Sequence, residues 1–228
     1  MVAFDYRGFG DSSCAPVAFS VCPTEVNLYE DAMMMFEMLT NSTSEGGYGV
    51  DPACVVFHGH SLGSAVAVRV ASKLTEMKKP IGGLILEAPL TSIADVAMTS
   101  GLSPIAYLPA ALQDISRTLL DRYLHHHFKS DKWLHHVSSP TLILHGEQDL
   151  TVPASHGRSL YEQREGAGDT LKCADKSDYD VELPCTDIHL ESEAGHQDVL
   201  KSKDAQVKVL SFVNEVWRAG AKASQKSR

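Results

Sequence analysis

The sequence predicts an α/β fold, a mostly parallel sheet flanked by helices. Two observations carry the prediction. Short apolar runs alternate with helical stretches along the chain, the order that winds a parallel sheet. The runs are also continuously apolar rather than alternating, as in strands buried on both faces. The expected strands are Val2–Tyr6, Ala53–His58, Gly83–Glu87, Thr141–His145 and Asp187–Glu191. The last is the least apolar and belongs nearer an edge.

Between the first two runs the spacing predicts a helix near Glu25–Leu39, with Leu28, Ala32, Met35 and Leu39 on one face. Met33, Met34 and Met35 read as core filler. The polar, glycine-rich stretch Asn41–Gly49 closes that unit. A second helix follows Ser61, where Ala65, Val66, Val68, Val70 and Ala71 suit close packing on a sheet. Ile93–His136 has apolar stretches but no strand signal, and reads as helices inserted over the sheet like a lid. Glu165–Pro184 is a polar loop. A final helix is expected near Asp204–Ala219, burying Val207, Leu210, Val213 and Trp217.

With 228 residues, 43% hydrophobic, the chain can bury a real core. Its net charge of −9 argues against nucleic acid, which needs clustered Lys and Arg. It argues equally against charge-driven binding to anionic lipid. The basic end, with Lys222, Lys226 and Arg228, reads as a solvated tail. No stretch is apolar for long enough to span a bilayer, and the start lacks the pattern of a signal peptide. The five cysteines are an odd number and include no CxxC pair. Cys54 reads as a buried small hydrophobe, and Cys14 and Cys22 flank a loop. Cys173 and Cys185 bracket the polar insert, where an oxidising compartment would let them pair.

The chemistry centres on Gly59-His60-Ser61-Leu62-Gly63, a G-x-S-x-G pentapeptide between the apolar Val55-Val56-Phe57 and an Ala/Val-rich helix. The pentapeptide alone arises by chance in about one chain in ten of this length. The strand before it and the helix after it give it weight. A sharp turn there lifts the Ser61 hydroxyl above the sheet, and glycines on either side admit close backbone approach. The same turn puts the Leu62 N–H at a helix N-terminus, where an oxyanion would be stabilised. The opposing reading is a plain strand-to-helix turn with a surface serine.

A serine hydroxyl is a poor nucleophile without a base, and the base needs an orienting acid. Asp149 follows the run Thr141-Leu142-Ile143-Leu144-His145 and a glycine, at the strand end where α/β sites form. Glu147 is the rival acid. Among eleven histidines, His196 in Ala194-Gly195-His196 directly follows the last expected strand. His58 and His60 read as structural parts of the turn. His125-His126-His127 and His135-His136 look like metal ligands at first glance. Adjacent histidines on a helix diverge, and no Cys or Glu lies at ligand spacing, so no metal is expected.

With these sites in order, the chain resembles the α/β-hydrolase superfamily. More narrowly it resembles the branch of monoacylglycerol lipases, lysophosphatidylserine lipases and protein depalmitoylases. The matching runs are Phe4-Asp5-Tyr6-Arg7-Gly8-Phe9-Gly10-Asp11-Ser12, the Ser61 turn, Leu86-Glu87-Ala88-Pro89-Leu90-Thr91-Ser92 and Thr141 to Pro153, with Gly195-His196. The resemblance implies the order Ser61, Asp149, His196 for the triad, and Val152-Pro153 after Asp149 favours it over Glu147. It implies an α/β-hydrolase fold with a helical lid at about 93–136, and residues 1–228 as one partial domain. In that family the Asp5–Ser12 run follows the fourth strand. The first three strands and the His-Gly loop with the second oxyanion N–H are then missing, and the chain is expected to be an N-terminally truncated form. One lost oxyanion donor costs about a hundredfold in rate.

The implied function is a cofactor-free serine hydrolase of a carboxylic ester or thioester. The substrate would be a small-molecule acyl ester or lipid, such as a monoacylglycerol, a lysophospholipid or an acylated protein. Leu102, Ile105, Tyr107, Leu108 and Leu112 would either wall an acyl chain or simply pack the lid. The alternative is an impaired fragment with a binding role or none, and a peptidase using the same residues ranks below both. Contact with a membrane surface stays open, some relatives being membrane-anchored. The sequence gives no sign of oligomeric state or compartment.

Overall fold

The computed structural model describes residues 1–12, 23–166 and 185–226, with side chains as far as 222. They form two compact units, Met1–Val50 and Asp51–Arg228.

In the first unit, α1 runs Glu25–Thr40 and buries Leu28 and Phe36. Ala32, Met35 and Leu39 are partly buried beside them, so the predicted stripe is widened by Phe36. The Thr24 hydroxyl accepts the Asn27 N–H at 3.2 Å and caps the helix. Arg7 is held against α1, its Nε donating to Asp31 Oδ1 at 2.7 Å and its backbone N–H to Oδ2 at 2.8 Å. The expected strand Val2–Tyr6 does not form. An apolar run becomes a strand only where a neighbour accepts its N–H groups and donates to its carbonyls. No such neighbour exists for it among the described residues.

Among the described residues the second unit has four strands: β1 (Val56–His60), β2 (Gly83–Glu87), β3 (Thr141–Gly146) and β4 (Thr186–Glu191). They lie side by side in chain order, and every neighbouring pair is parallel. All residues of β2 and β3 are buried, which is why both read as unbroken apolar runs. β4 lies at an edge, as its composition predicts. β1 starts later than expected, because Asp51 caps a 3-10 turn at Pro52–Cys54 by accepting the Ala53 N–H at 2.9 Å.

Helix α2 (Leu62–Glu76) buries Ala65, Val66, Val68, Val70 and Ala71, as its sequence predicts. The segment expected to form a lid is helical: α3 (Ile93–Thr99), α4 (Ala110–Tyr123) and α5 (Ser130–Trp133), with a 3-10 turn at Pro104–Tyr107. Helix α4 has no buried residue. Leu102, Tyr107 and Leu112 are exposed, while Ile105 and Leu108 are half-buried. The segment is rooted at Asp95, which accepts the Thr91 and Ser92 hydroxyls at 2.7 and 2.6 Å and pairs with Arg117.

Helix α6 (Ser155–Gly166) has no counterpart among the sequence expectations. Its buried residues are His156, Gly157, Leu160 and Arg164, so it carries no apolar stripe to find.

The last helix, α7 (Lys203–Lys226), corrects a prediction. Val207, Leu210 and Trp217 are 65%, 62% and 60% exposed, while Ala205, Phe212 and Val216 are buried. Val209 and Val213 pack against that core. The helix carries two apolar stripes of the same period, and periodicity cannot rank them. The choice is made by shape. Gly82 and Gly83 at the start of β2 leave room for Val216 and Phe212, and a Cβ on either glycine would lie within about 3 Å of them.

Cys54 is a free thiol, only partly buried, with its pKa raised by burial and by Asp51. Cys185 is disulfide-bonded. Cys173, its expected partner, lies outside the described residues, as do Cys14, Cys22 and most of the Glu165–Pro184 loop. No helix among the described residues is long and apolar enough to cross a membrane.

Candidate active site

Parallel strands present their C-terminal ends along one edge of the sheet, where α/β sites form. β1 leads to Ser61, β3 leads to Asp149 and β4 leads to His196. The structure brings these three side chains together. His196 Nε2 lies 3.0 Å from Ser61 Oγ, and His196 Nδ1 lies 2.6 Å from Asp149 Oδ2. A carboxylate only accepts, so Nδ1 carries the imidazole proton and Nε2 is free to accept the Ser61 hydroxyl.

Ser61 has φ 52° and ψ −121°, a conformation that costs a non-glycine residue about 1–3 kcal/mol. Fixed bonds hold it there. Its N–H donates to Glu87 O at 2.9 Å, and its carbonyl accepts the Ser64 N–H at 2.9 Å and the Ser64 hydroxyl at 2.6 Å. Gly59 is required, since a Cβ there would lie 2.3 Å from Gly63 O. Gly63 departs from the expectation that glycines on both sides permit close approach, because its Cβ would meet nothing within 4 Å. Leu62 is the first residue of α2, so its N–H has no acceptor within the helix.

Asp149 is buried, with a fully covered side chain. Its Oδ1 accepts the Thr151 and Val152 N–H groups, each at 2.8 Å. Burial alone would raise its pKa. Hydrogen bonds from His145, His196 and the Val152 N–H outweigh burial and hold it at about 2. The rival Glu147 is exposed and paired with Arg158.

His145 was visible in the sequence only as a strand residue. It is fully buried, and its Nε2–H donates to Val152 O at 2.8 Å while lying 3.5 Å from Asp149 Oδ2. It braces both the acid and the turn that binds the acid. His60 donates from Nε2 to His196 O at 2.9 Å, and His58 Nε2 meets Glu87 Oε2 at 3.1 Å. Neither bond was legible beforehand, because each partner is remote in sequence. The His135 and His136 rings touch, with centroids 3.9 Å apart and planes tilted by 44°.

A parallel sheet with a strained serine at the end of β1, an acid after β3 and a histidine after β4 defines a hydrolase-type α/β protein. The chain belongs to the Alpha/beta hydrolase family, whose model matches residues 1–207. Among known proteins it is similar to Protein ABHD12B of Homo sapiens, at 37% identity over 164 residues. It is also similar to the Lysophosphatidylserine lipase ABHD12 of Danio rerio, at 33% identity over 167 residues. Each match covers 71% of this chain and 41% or 38% of the relative, so the chain matches about two-fifths of their length. Among solved structures, an alpha-beta hydrolase from Vibrio vulnificus superposes with a TM-score of 0.58 at 18% identity, covering 83% of this chain and 57% of the other. The Pyrococcus furiosus esterase Pf2001 gives 0.56 at 17% identity, covering 92% and 68%. These two carry the fold.

Proposed function

We propose that this chain is a serine hydrolase that cleaves a carboxylic ester or thioester of a lipid, with Ser61, His196 and Asp149 as its triad. One observation carries the reading: a continuous pair of hydrogen bonds from Ser61 Oγ through the His196 ring to the buried Asp149 carboxylate. In this reading His196 Nε2 takes the Ser61 proton as Oγ attacks the acyl carbonyl. Asp149 stays ionised and stabilises the imidazolium, a role suited to an acid held at about 2. The Leu62 N–H donates to the oxyanion. The tetrahedral intermediate expels the alcohol or thiol, which leaves with the proton from His196. Water, deprotonated by His196, then attacks the acyl-Ser61 ester and releases the carboxylic acid. Protein groups and water suffice for every step.

A lipid substrate is supported by the similarity to lysophosphatidylserine lipases. The exposed Leu102, Tyr107 and Leu112 of the lid offer an apolar surface to an acyl chain or a membrane. The acyl and leaving groups would be narrowed with monoacylglycerol, lysophosphatidylserine and an S-acylated peptide. The decisive test is labelling by a fluorophosphonate probe, which reacts only with an activated serine. Labelling of the chain that disappears in Ser61→Ala is the expected result. A folded chain that stays unlabelled overturns the reading.

A further inference from the structure

His196 lies 135 residues from Ser61 in sequence, and it stands on the loop between β4 and α7. The first half of that loop is fastened to the end of β3. Gln148 N–H donates to Ala194 O at 3.0 Å, and Gln148 Nε2 donates to Ser192 O at 3.1 Å. Among the described residues no backbone hydrogen bond joins the loop to the end of β3 beyond Gly195. The His196 carbonyl is then taken by His60 Nε2 at 2.9 Å. His60 is the last residue of β1 and the immediate neighbour of Ser61. Because a carbonyl only accepts, His60 carries its proton on Nε2. The two imidazole rings also lie 5.0 Å apart between centroids, tilted by 52°.

The bond ties the base to the nucleophile by a second route. Through its ring, His196 is located by Asp149. Through its backbone, it is located by the residue next to Ser61. One contact sets the ring's orientation, and the other sets how far the ring stands from the serine. We propose that His60 is a positioning residue for His196, acting by the Nε2–H bond to the His196 carbonyl. The inference rests on the serine-hydrolase reading of the same site. It assigns a purpose to the residue inside the pentapeptide beyond filling the turn.

The test compares the 228-residue chain with His60→Phe, which keeps an aromatic ring but donates nothing, and His60→Gln, whose amide NH₂ reaches the place of Nε2. Labelling by a fluorophosphonate is measured across probe concentrations. His60→Phe is expected to slow the saturating first-order rate about tenfold while leaving the half-saturating concentration and the thermal midpoint unchanged. His60→Gln is expected to restore most of the rate. A rate unchanged in His60→Phe, or equally lost in both variants, overturns the proposal. Hydrogen exchange of the peptide over Gly195–Asp198 reads the tether without catalysis. It should be faster in His60→Phe and near wild type in His60→Gln. Wild-type chain that resists the probe refutes the hydrolase reading alone. The exchange result then decides the tether, and equal exchange in all three proteins refutes it.

Discussion

Asp149→Asn is the most informative substitution, because it alters hydrogen-bonding character with little change of shape. The carboxylate accepts three donors at close range: the Thr151 and Val152 N–H groups at 2.8 Å and the His196 Nδ1–H at 2.6 Å. An amide has one accepting oxygen and one donating NH₂. If the oxygen keeps the two backbone donors, the NH₂ faces His196 Nδ1, which must then give up its proton and accept. The imidazole proton moves to Nε2, and the ring can no longer take the Ser61 hydroxyl proton. If the amide flips, its NH₂ is forced against two backbone N–H groups. The expected loss in labelling rate or kcat is about 10⁴-fold, the scale of a wrong-tautomer triad.

The same substitution carries a stability signature. The Asp149 carboxyl is lowered from 3.8 to about 2 in the fold, and its side chain is fully covered. A depressed acid stabilises the fold above its unfolded pKa, and the contribution is lost as pH falls through the folded pKa. That shift corresponds to about 2 kcal/mol, present in full above about pH 5 and gone near pH 1–2. Urea denaturation from pH 7 downward should therefore show wild type losing this increment below pH 4, and Asp149→Asn, weaker from the start, losing less. Labelling of the variant within tenfold of wild type would refute the assigned tautomer. Parallel stability profiles for the two proteins would refute the buried, hydrogen-bonded carboxylate.

The glycines of the turn should behave oppositely. Gly59→Ala drives a Cβ to 2.3 Å from the Gly63 carbonyl and should cost about 2–3 kcal/mol in urea denaturation. Gly63→Ala meets nothing within 4 Å and should be neutral or stabilising by up to about 1 kcal/mol. His156 is buried, with Nε2 donating to Thr99 Oγ1 at 2.7 Å and Nδ1 accepting the Thr91 N–H at 3.3 Å. Burial lowers its pKa, so the unfolded chain takes up the proton first, and stability falls as pH drops below about 6.5. That fall should be shallower in His156→Gln, measured by thermal midpoint from pH 8 to 5. His145→Phe should remove the donor to Val152 O and the brace on Asp149. It should cost about 1–3 kcal/mol and slow labelling while leaving Ser61 reactive.

How much of this was legible in the chain depends on whether a feature is local. The Ser61 turn is local: its strand, its tight glycine and its helix are contiguous, so sequence alone locates it. Asp149 and His196 follow from the rule that sites gather at strand ends, and the parallel sheet brings both to Ser61. What the sequence could not show are the bonds that cross the chain. His60 and His196 stand 136 residues apart, and no pattern of types announces that one holds the other. Helix α6 was hidden for a related reason, since its buried face is His156, Gly157, Leu160 and Arg164, a single apolar side chain among polar or small ones rather than an apolar stripe. There, a buried polar residue draws its partners from elsewhere: Arg164 donates to Leu134 O and Ser139 O at 3.1 and 2.6 Å. Val2–Tyr6 makes the converse point. Its apolar composition suits a strand, yet a strand is a property of two segments, and composition describes only one. Helix α7 lies between these cases. Its period is plain in the sequence, but the buried stripe is chosen by Gly82 and Gly83 on a different element. Substituting Ala at Gly83 should therefore displace Phe212 and Val216 and loosen α7, although no residue of the helix has changed.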